Sequence, residues 1–467
     1  MQFIEIIFLL SSFGMLLVLS FFGSRKNIQK HILLVSLGAF LVHAIFEVVR
    51  WQMLFVYLIF IFNTLLYFKK STSRLFFRVL GFTFALILLG ISFIYAAFMP
   101  ISQLNVPQGP YPVGSYTFAL VDKERNEFHT SDLNDKRQLL IDLWYPAVMN
   151  RDATARTLWS GLYSGESDII HFFTRYLEEI PTHSYTNLSP AEGSFPLILF
   201  NHGLQMFTSQ NTLLMEHLAS HGYIVASIGH PYESIRVDLG DGQVILPEFV
   251  RSLENFKEGM NWIASSSKPV MEAQKRMETT KDRRAKSEIM LKYLEKANEI
   301  NEIVTVWTRD TQHVLNWLLD HPSDLENVIP RIDTSKIGIM GMSIGGATAG
   351  ELCKVDDRLI AGINIDGLQY GKRQRDSLNV PFMMVASDDT FGLNDFMFLR
   401  SNKEYYDYHL KGTKHVDLTD LPTVWPILKI YGQTGELPAA QVVDTMNTII
   451  LTFWDRHLKE QKEGFKL

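Results

Sequence analysis

The sequence predicts a mostly parallel α/β domain carried behind a bundle of four membrane helices. Three observations lead there. Composition breaks near residue 100, short apolar strands alternate with helical patterns after that break, and one serine sits in a glycine-rich turn between such a strand and a helix.

The break is visible in charge. The 467-residue chain is 47% hydrophobic and 20% charged, with a mean hydropathy of +0.04. That mean is high for a soluble protein and low for a transporter, so the apolar residues are concentrated in one region. Residues 1–100 hold eight Lys/Arg and two Asp/Glu, whereas the remainder holds 36 and 48. The acidic remainder argues against nucleic acid as the main partner, because phosphate binding needs a basic face. The single cysteine, Cys353, forbids an intramolecular disulfide and a cysteine-based zinc or iron–sulfur centre. Apolar and aromatic content excludes disorder for most of the chain.

Four apolar runs fill the first region: 6–22, 31–46, 53–68 and 79–99. A bilayer core of about 30 Å takes roughly 20 helical residues. As one helix, 31–68 would be far too long and would carry Glu47 and Arg50 near its middle, where lipid-facing charge is costly. Two spans with a turn around 47–52 resolve both problems. Arg25, Lys26 and Lys30 follow the first span; Lys69, Lys70, Arg74 and Arg78 precede the fourth. The positive-inside rule puts both basic loops in the cytoplasm, and everything after Met99 outside. A cleaved leader would need a basic start, yet the first ten residues carry only Glu5. This region reads as a plain anchor without paired charges, with Glu47 and Arg50 at an interface.

After Pro107 the periodicity shortens. Strands are expected at 114–121, 139–145, 196–200, 223–228, 336–340, 359–365, 382–386 and 405–410. Most are apolar on both faces, as strands buried in a parallel sheet are. Helical patterns at 211–220, 305–319, 344–354 and 441–458 lie between several of them. One catalytic domain spanning 107–467 is expected. Its helix-prone, highly charged stretch at about 248–304 reads either as a solvated insertion or as a cap over a site.

Gly341-Met342-Ser343-Ile344-Gly345-Gly346 follows the apolar run KIGIM and precedes ATAGELCK. Strand, sharp glycine turn and helix form the frame of a nucleophile elbow, which marks Ser343 as a nucleophile. A hydroxyl needs a base, and the base needs an orienting acid; in this fold both follow the serine along the chain. Of His409, His415 and His457, only His415 lies in a loop just after a strand, so it is the favoured base. Asp366 and Asp388 both end strands, where open α/β sheets bind ligands. Fold logic alone slightly prefers Asp388. Backbone N–H groups of Ile344 and of Leu204, in the loop LFNHGLQ, are the expected oxyanion donors. His202 reads as shaping that loop.

At these residues a family emerges. GPYPVGSYTF, LWYPA, FPLILFNHGL, LASHGYIVASIGHPYES, GIMGMSIGGATAGEL, GINIDG, PFMMVASD and KGTKH occur in order over roughly 107–420. Together they resemble the plasma-type and intracellular type II platelet-activating factor acetylhydrolases, serine lipases of the α/β-hydrolase fold. The resemblance implies Asp366, in INIDG, as the acid, and maps the oxyanion donors onto Leu204 and Ile344. It implies metal- and cofactor-free hydrolysis of short or oxidised acyl chains from phospholipids. Met342 and Ile344 depart from the family's frequent His and Phe, and the plasma enzymes lack four spans. The rival expectations are hydrolysis of another ester or amide (dienelactone-like, peptide or cell-envelope) and a degenerate, non-enzymatic domain.

Overall fold

The computed structural model describes all residues except 23–24, 48, 69–74, 133, 166–167, 241, 248–252, 322–327 and 461–467. Lys69, Lys70, Arg74 and the start of the 248–304 stretch thus lie outside the described residues. The chain forms two compact units. The first is Met1–Gln103 with Phe172–Ile180 and Leu421–Gln433; the second is the rest.

In the first unit, α1 (Phe3–Phe21), α2 (Lys26–Phe46), α3 (Leu54–Phe68) and α4 (Leu75–Phe98) form a bundle. All four, with Trp51–Met53 extending α3, are long and apolar enough to cross a membrane. Their outward residues, such as Phe46, Leu65 and Phe76, are exposed. One end of the bundle is tied by charge. Arg50 Nε and Nη2 donate to the two carboxylate oxygens of Glu5, both at 2.7 Å, and Nη1 and Nη2 also reach Met99 O and Ala96 O. His43 bridges Glu47 at 2.9 Å and Tyr57 at 2.7 Å. These bonds join the start of α1, the end of α2, the approach to α3 and the end of α4, so the helices alternate in direction. The expectation of an anchor without paired charges is corrected here. Arg50 is buried and paired with Glu5, because two carbonyls at the open end of α4 and one carboxylate satisfy its donors.

The two later segments belong to this unit through aromatic contacts. Trp51 Nε1 donates to Phe173 O at 3.0 Å, and the two rings meet edge-on. Tyr95 and Tyr431 share a hydroxyl bond of 2.8 Å, and Trp425 donates to Tyr176.

In the second unit the strands, in chain order, are β1 (Val113–Asn126), β2 (Lys136–Val148), β3 (Thr154–Thr157), β4 (Pro181–Thr186), β5 (Ser189–Pro190), β6 (Phe195–Asn201), β7 (Ile224–Gly229), β8 (Val237–Asp238), β9 (Val244–Ile245), β10 (Ile332–Met342), β11 (Leu359–Ile365), β12 (Phe382–Ala386) and β13 (Tyr405–His409). The main sheet runs β13-β12-β11-β10-β6-β7-β2-β1-β4-β3, with β5 beside β2 and β8-β9 a separate ribbon. From β13 to β7 every pairing is parallel; β2 then runs antiparallel to both β7 and β1. This is the expected α/β architecture with antiparallel strands leading in.

Both faces are covered, which explains the unbroken apolar runs. Along β6, Leu197 and Leu199 join one core with Trp307 and Val314 of helix Asn298–Asp320. Ile198 and Phe200 join the other, with Met215 of helix Thr212–Ser220 and Phe453 and Trp454 of helix Ala439–Leu458. The charged insertion is helical over Leu253–Glu278 and Arg283–Leu294. Its Met290, Leu291 and Leu294 join the first core, and Arg283 holds Asp395 through two 2.7 Å bonds.

Candidate active site

Strands β10, β11 and β12 end side by side, and their ladder continues one step past the sheet. Ser343 N donates to Ile365 O at 2.8 Å, and Asp366 N to Val385 O at 2.7 Å. Ser343 and Asp366 are therefore held in adjacent positions by backbone bonds to the neighbouring strands. Ser343 has φ 57° and ψ −120°, a region costly for any side-chain-bearing residue. The turn is built around two close approaches. A Cβ on Gly341 would lie 2.2 Å from the Gly345 carbonyl, and one on Gly345 would lie 2.0 Å from Asn201 O. Only glycine lets helix Ile344–Leu352 start this close to β6.

Asp366, also left-handed at φ 56°, is buried and receives four donors. Oδ1 accepts from Ser387 N at 2.6 Å and from the Thr390 hydroxyl; Oδ2 accepts from Ser387 Oγ at 2.9 Å and His415 Nδ1 at 2.6 Å. Burial pushes this carboxyl up, but the His415 bond and charge, with Thr390 and Ser387, outweigh it and hold it below the usual carboxylate range. For His415 burial works downward, yet the bond and charge of Asp366, with Asp389 adding, raise the imidazole above its ordinary value. The His415 backbone is pinned where its N donates to Asp389 Oδ2 at 2.9 Å. The ring remains 41% exposed, open to a substrate.

Asp388 is placed elsewhere. It accepts from His409 Nε2 at 2.7 Å and from Gly412 N at 3.0 Å, on an exposed surface. The structure thus brings His415 to Asp366 and pairs the other acid candidate with a different histidine. His457 packs its ring against Phe453 on the terminal helix.

The loop after β6 passes within reach of the serine: a Cβ on Gly203 would lie 3.5 Å from Ser343 Cβ. Gly203 N donates to Gln210 Oε1 at 2.7 Å, and Gln205, at φ 59°, donates its N–H to Glu233 O at 2.7 Å. Among the described residues, neither Leu204 N–H nor Ile344 N–H is bonded to a protein acceptor. Ser343 Oγ likewise makes no hydrogen bond among the described residues; such contacts are commonly long in ligand-free sites and tighten around substrate. No group of three or more His, Cys, Asp or Glu among the described residues is arranged to hold a metal ion.

Sequence reading missed Ser387, Thr390 and Gln210. The first two follow strand β12 in SDDT, and a buried aspartate ending the neighbouring strand needs donors from that position.

Residues 96–466 match the model of the family described as platelet-activating factor acetylhydrolase, isoform II. The chain belongs to this family. A platelet-activating factor acetylhydrolase of Cavia porcellus is 26% identical over 56% of this chain, a match spanning 58% of that relative's own length. Those of Gallus gallus and Canis lupus familiaris are 22% and 25% identical over 77% and 78% of this chain, covering 85% and 79% of theirs. Among solved structures, a ferulic acid esterase from Streptomyces cinnamoneus superposes with a TM-score of 0.58 at 22% identity, covering 78% of this chain and 94% of that one. That likeness shows the shared fold. As a member of the acetylhydrolase family, the protein is a serine ester hydrolase.

Proposed function

We propose that Ser343 is the nucleophile, His415 the general base, Asp366 the orienting acid, and the Leu204 and Ile344 N–H groups the oxyanion donors. The observation that carries this is the 2.6 Å bond from His415 Nδ1 to Asp366, beside the left-handed Ser343. His415 takes the proton from Ser343 Oγ as it attacks an ester carbonyl. The two N–H groups bind the oxyanion, the alcohol leaves carrying the proton from His415, and water, deprotonated by the same ring, releases the acyl group.

The substrate in this reading is a phospholipid with a short or oxidised sn-2 chain, met at a bilayer by an enzyme that the four helices anchor. The basic residues Arg25, Lys26, Lys30 and Arg78 lie at the bundle end opposite the Glu5–Arg50 pair. The positive-inside rule makes that end cytoplasmic, so the chain leaves α4 on the outer side. The domain division of the proposal is an anchor over 1–100 and a hydrolase over 107–467.

Ser343→Ala should abolish hydrolysis of a p-nitrophenyl ester without altering the melting temperature; persistent activity would overturn the assignment. Phospholipids graded in sn-2 length test the substrate. Rates that rise with chain length, or that are confined to non-lipid esters and amides, would favour the rival substrate classes.

A further inference from the structure

Behind the oxyanion loop lies a buried polar chain that the reaction does not touch. It starts at Arg137, which is 1% exposed and meets Asp310 Oδ2 at 2.8 Å and Glu127 at 2.9 Å. Asp310 accepts from His230 Nδ1 at 2.9 Å, and the His230 ring stacks on Trp307 at 3.9 Å. The His230 backbone N–H then points at His202 Nε2 at 3.3 Å, with Ser234 Oγ 2.9 Å from the same nitrogen. On the other side of the ring, His202 Nδ1 lies 2.7 Å from Gly203 O.

The tautomer follows from partners that have only one role. A backbone N–H can only donate, so Nε2 of His202 is the acceptor. A carbonyl oxygen can only accept, so the proton is on Nδ1. Full burial, with His230 beside it, lowers the His202 pKa to about 3, which keeps the ring neutral. Gly203 C=O and Leu204 N–H belong to one trans peptide plane and point in opposite directions. Holding the carbonyl with Nδ1–H therefore turns the Leu204 N–H the other way.

We propose that His202 is a positioning residue whose Nδ1–H, fixed by the His230 backbone, aims the Leu204 N–H at the oxyanion. This rests on the reading of Leu204 as an oxyanion donor. Met206 N also donates to Gly203 O, at 3.0 Å, but it lies on the loop itself and moves with it. His202, by contrast, is locked through His230 and Asp310 to the strand and helix core.

Two substitutions separate the ring's ends. The amide nitrogen of Asn sits as far along the side chain as Nδ1; that of Gln sits as far along as Nε2. His202→Gln should lower kcat by about 10²-fold, the size of one lost oxyanion donor, with KM within about threefold. Affinity for a trifluoromethyl ketone, whose adduct carries the oxyanion, should fall by a similar factor. His202→Asn should restore kcat to within about tenfold of wild type, and neither variant should move the acid limb of the pH–rate profile. Equal losses in the two variants, a loss carried by KM, or a displaced acid limb would overturn the proposal. If His202→Gln fails to fold, His202→Asn decides alone: a folded variant that has lost 10²-fold refutes it. Leu204→Pro, which deletes the N–H itself, tests the underlying reading. A folded Leu204→Pro enzyme at wild-type rate sinks the oxyanion assignment, whatever the His202 variants do.

Discussion

Replacing Asp366 with asparagine should cost far more than the loss of one charge, and the hydrogen-bond pattern says why. Oδ1 faces Ser387 N–H, which can only donate. The asparagine carbonyl must therefore take the Oδ1 position, and its NH₂ is forced to where Oδ2 now meets His415 Nδ1 at 2.6 Å. Nδ1 then has to accept, and the ring proton moves to Nε2, the nitrogen that in the proposed mechanism must be free to deprotonate Ser343. A wrong tautomer of this kind lowers kcat by about 10⁴-fold, or about 5 kcal/mol of transition-state stabilisation. Asp388→Asn changes only an exposed contact with His409 and Gly412 and should stay within a few-fold of wild type. Initial rates on a p-nitrophenyl ester, with melting curves to show that both variants fold, make the comparison. An Asp366→Asn enzyme within tenfold of wild type, or an Asp388→Asn enzyme that falls further, would refute the reasoning.

Other perturbations have equally definite outcomes. If His415 is the base proposed above, its raised pKa should place the acid limb of kcat/KM above the ordinary imidazole value, because a base works only when neutral and is lost as pH falls through that pKa. Asp389→Asn removes one of the charges raising it, so the limb should move to lower pH in a pH–rate series. Gly345→Ala drives a methyl group to 2.0 Å from Asn201 O and should lower the apparent melting temperature, at a cost of about 1–3 kcal/mol, together with kcat. Arg50→Met alone strands the buried Glu5 carboxylate and should destabilise the detergent-solubilised protein by about 3–5 kcal/mol. Pairing it with Glu5→Gln should recover most of that in the same melting assay.

What the sequence revealed follows the range of the interactions involved. Ser343 was legible because strand, turn and helix are contiguous, and Gly341 and Gly345 announce a close approach within five residues. The parallel sheet was legible because strands covered on both faces leave no polar face to write. Asp366 and Asp388 could not be separated by residue type, since both end neighbouring parallel strands. What distinguishes them spatially is a backbone N–H and two hydroxyls donated from the next strand's loop, together with the side on which His415 lies. Glu5 and Arg50 are 45 positions apart, and neither carries a local sign of the other. Helix 305–319 reads as an ordinary amphipathic helix, although its Asp310 is the hub of the buried polar chain behind the loop that follows β6.

The grouping of Phe172–Ile180 and Leu421–Gln433 with the four apolar helices has a practical consequence. A chain begun at residue 101 would strip Phe173 of Trp51 and Tyr431 of Tyr95. The fragment from residue 101 onward should therefore be less soluble than the full chain, because these two segments lose the aromatic partners that the apolar helices supply.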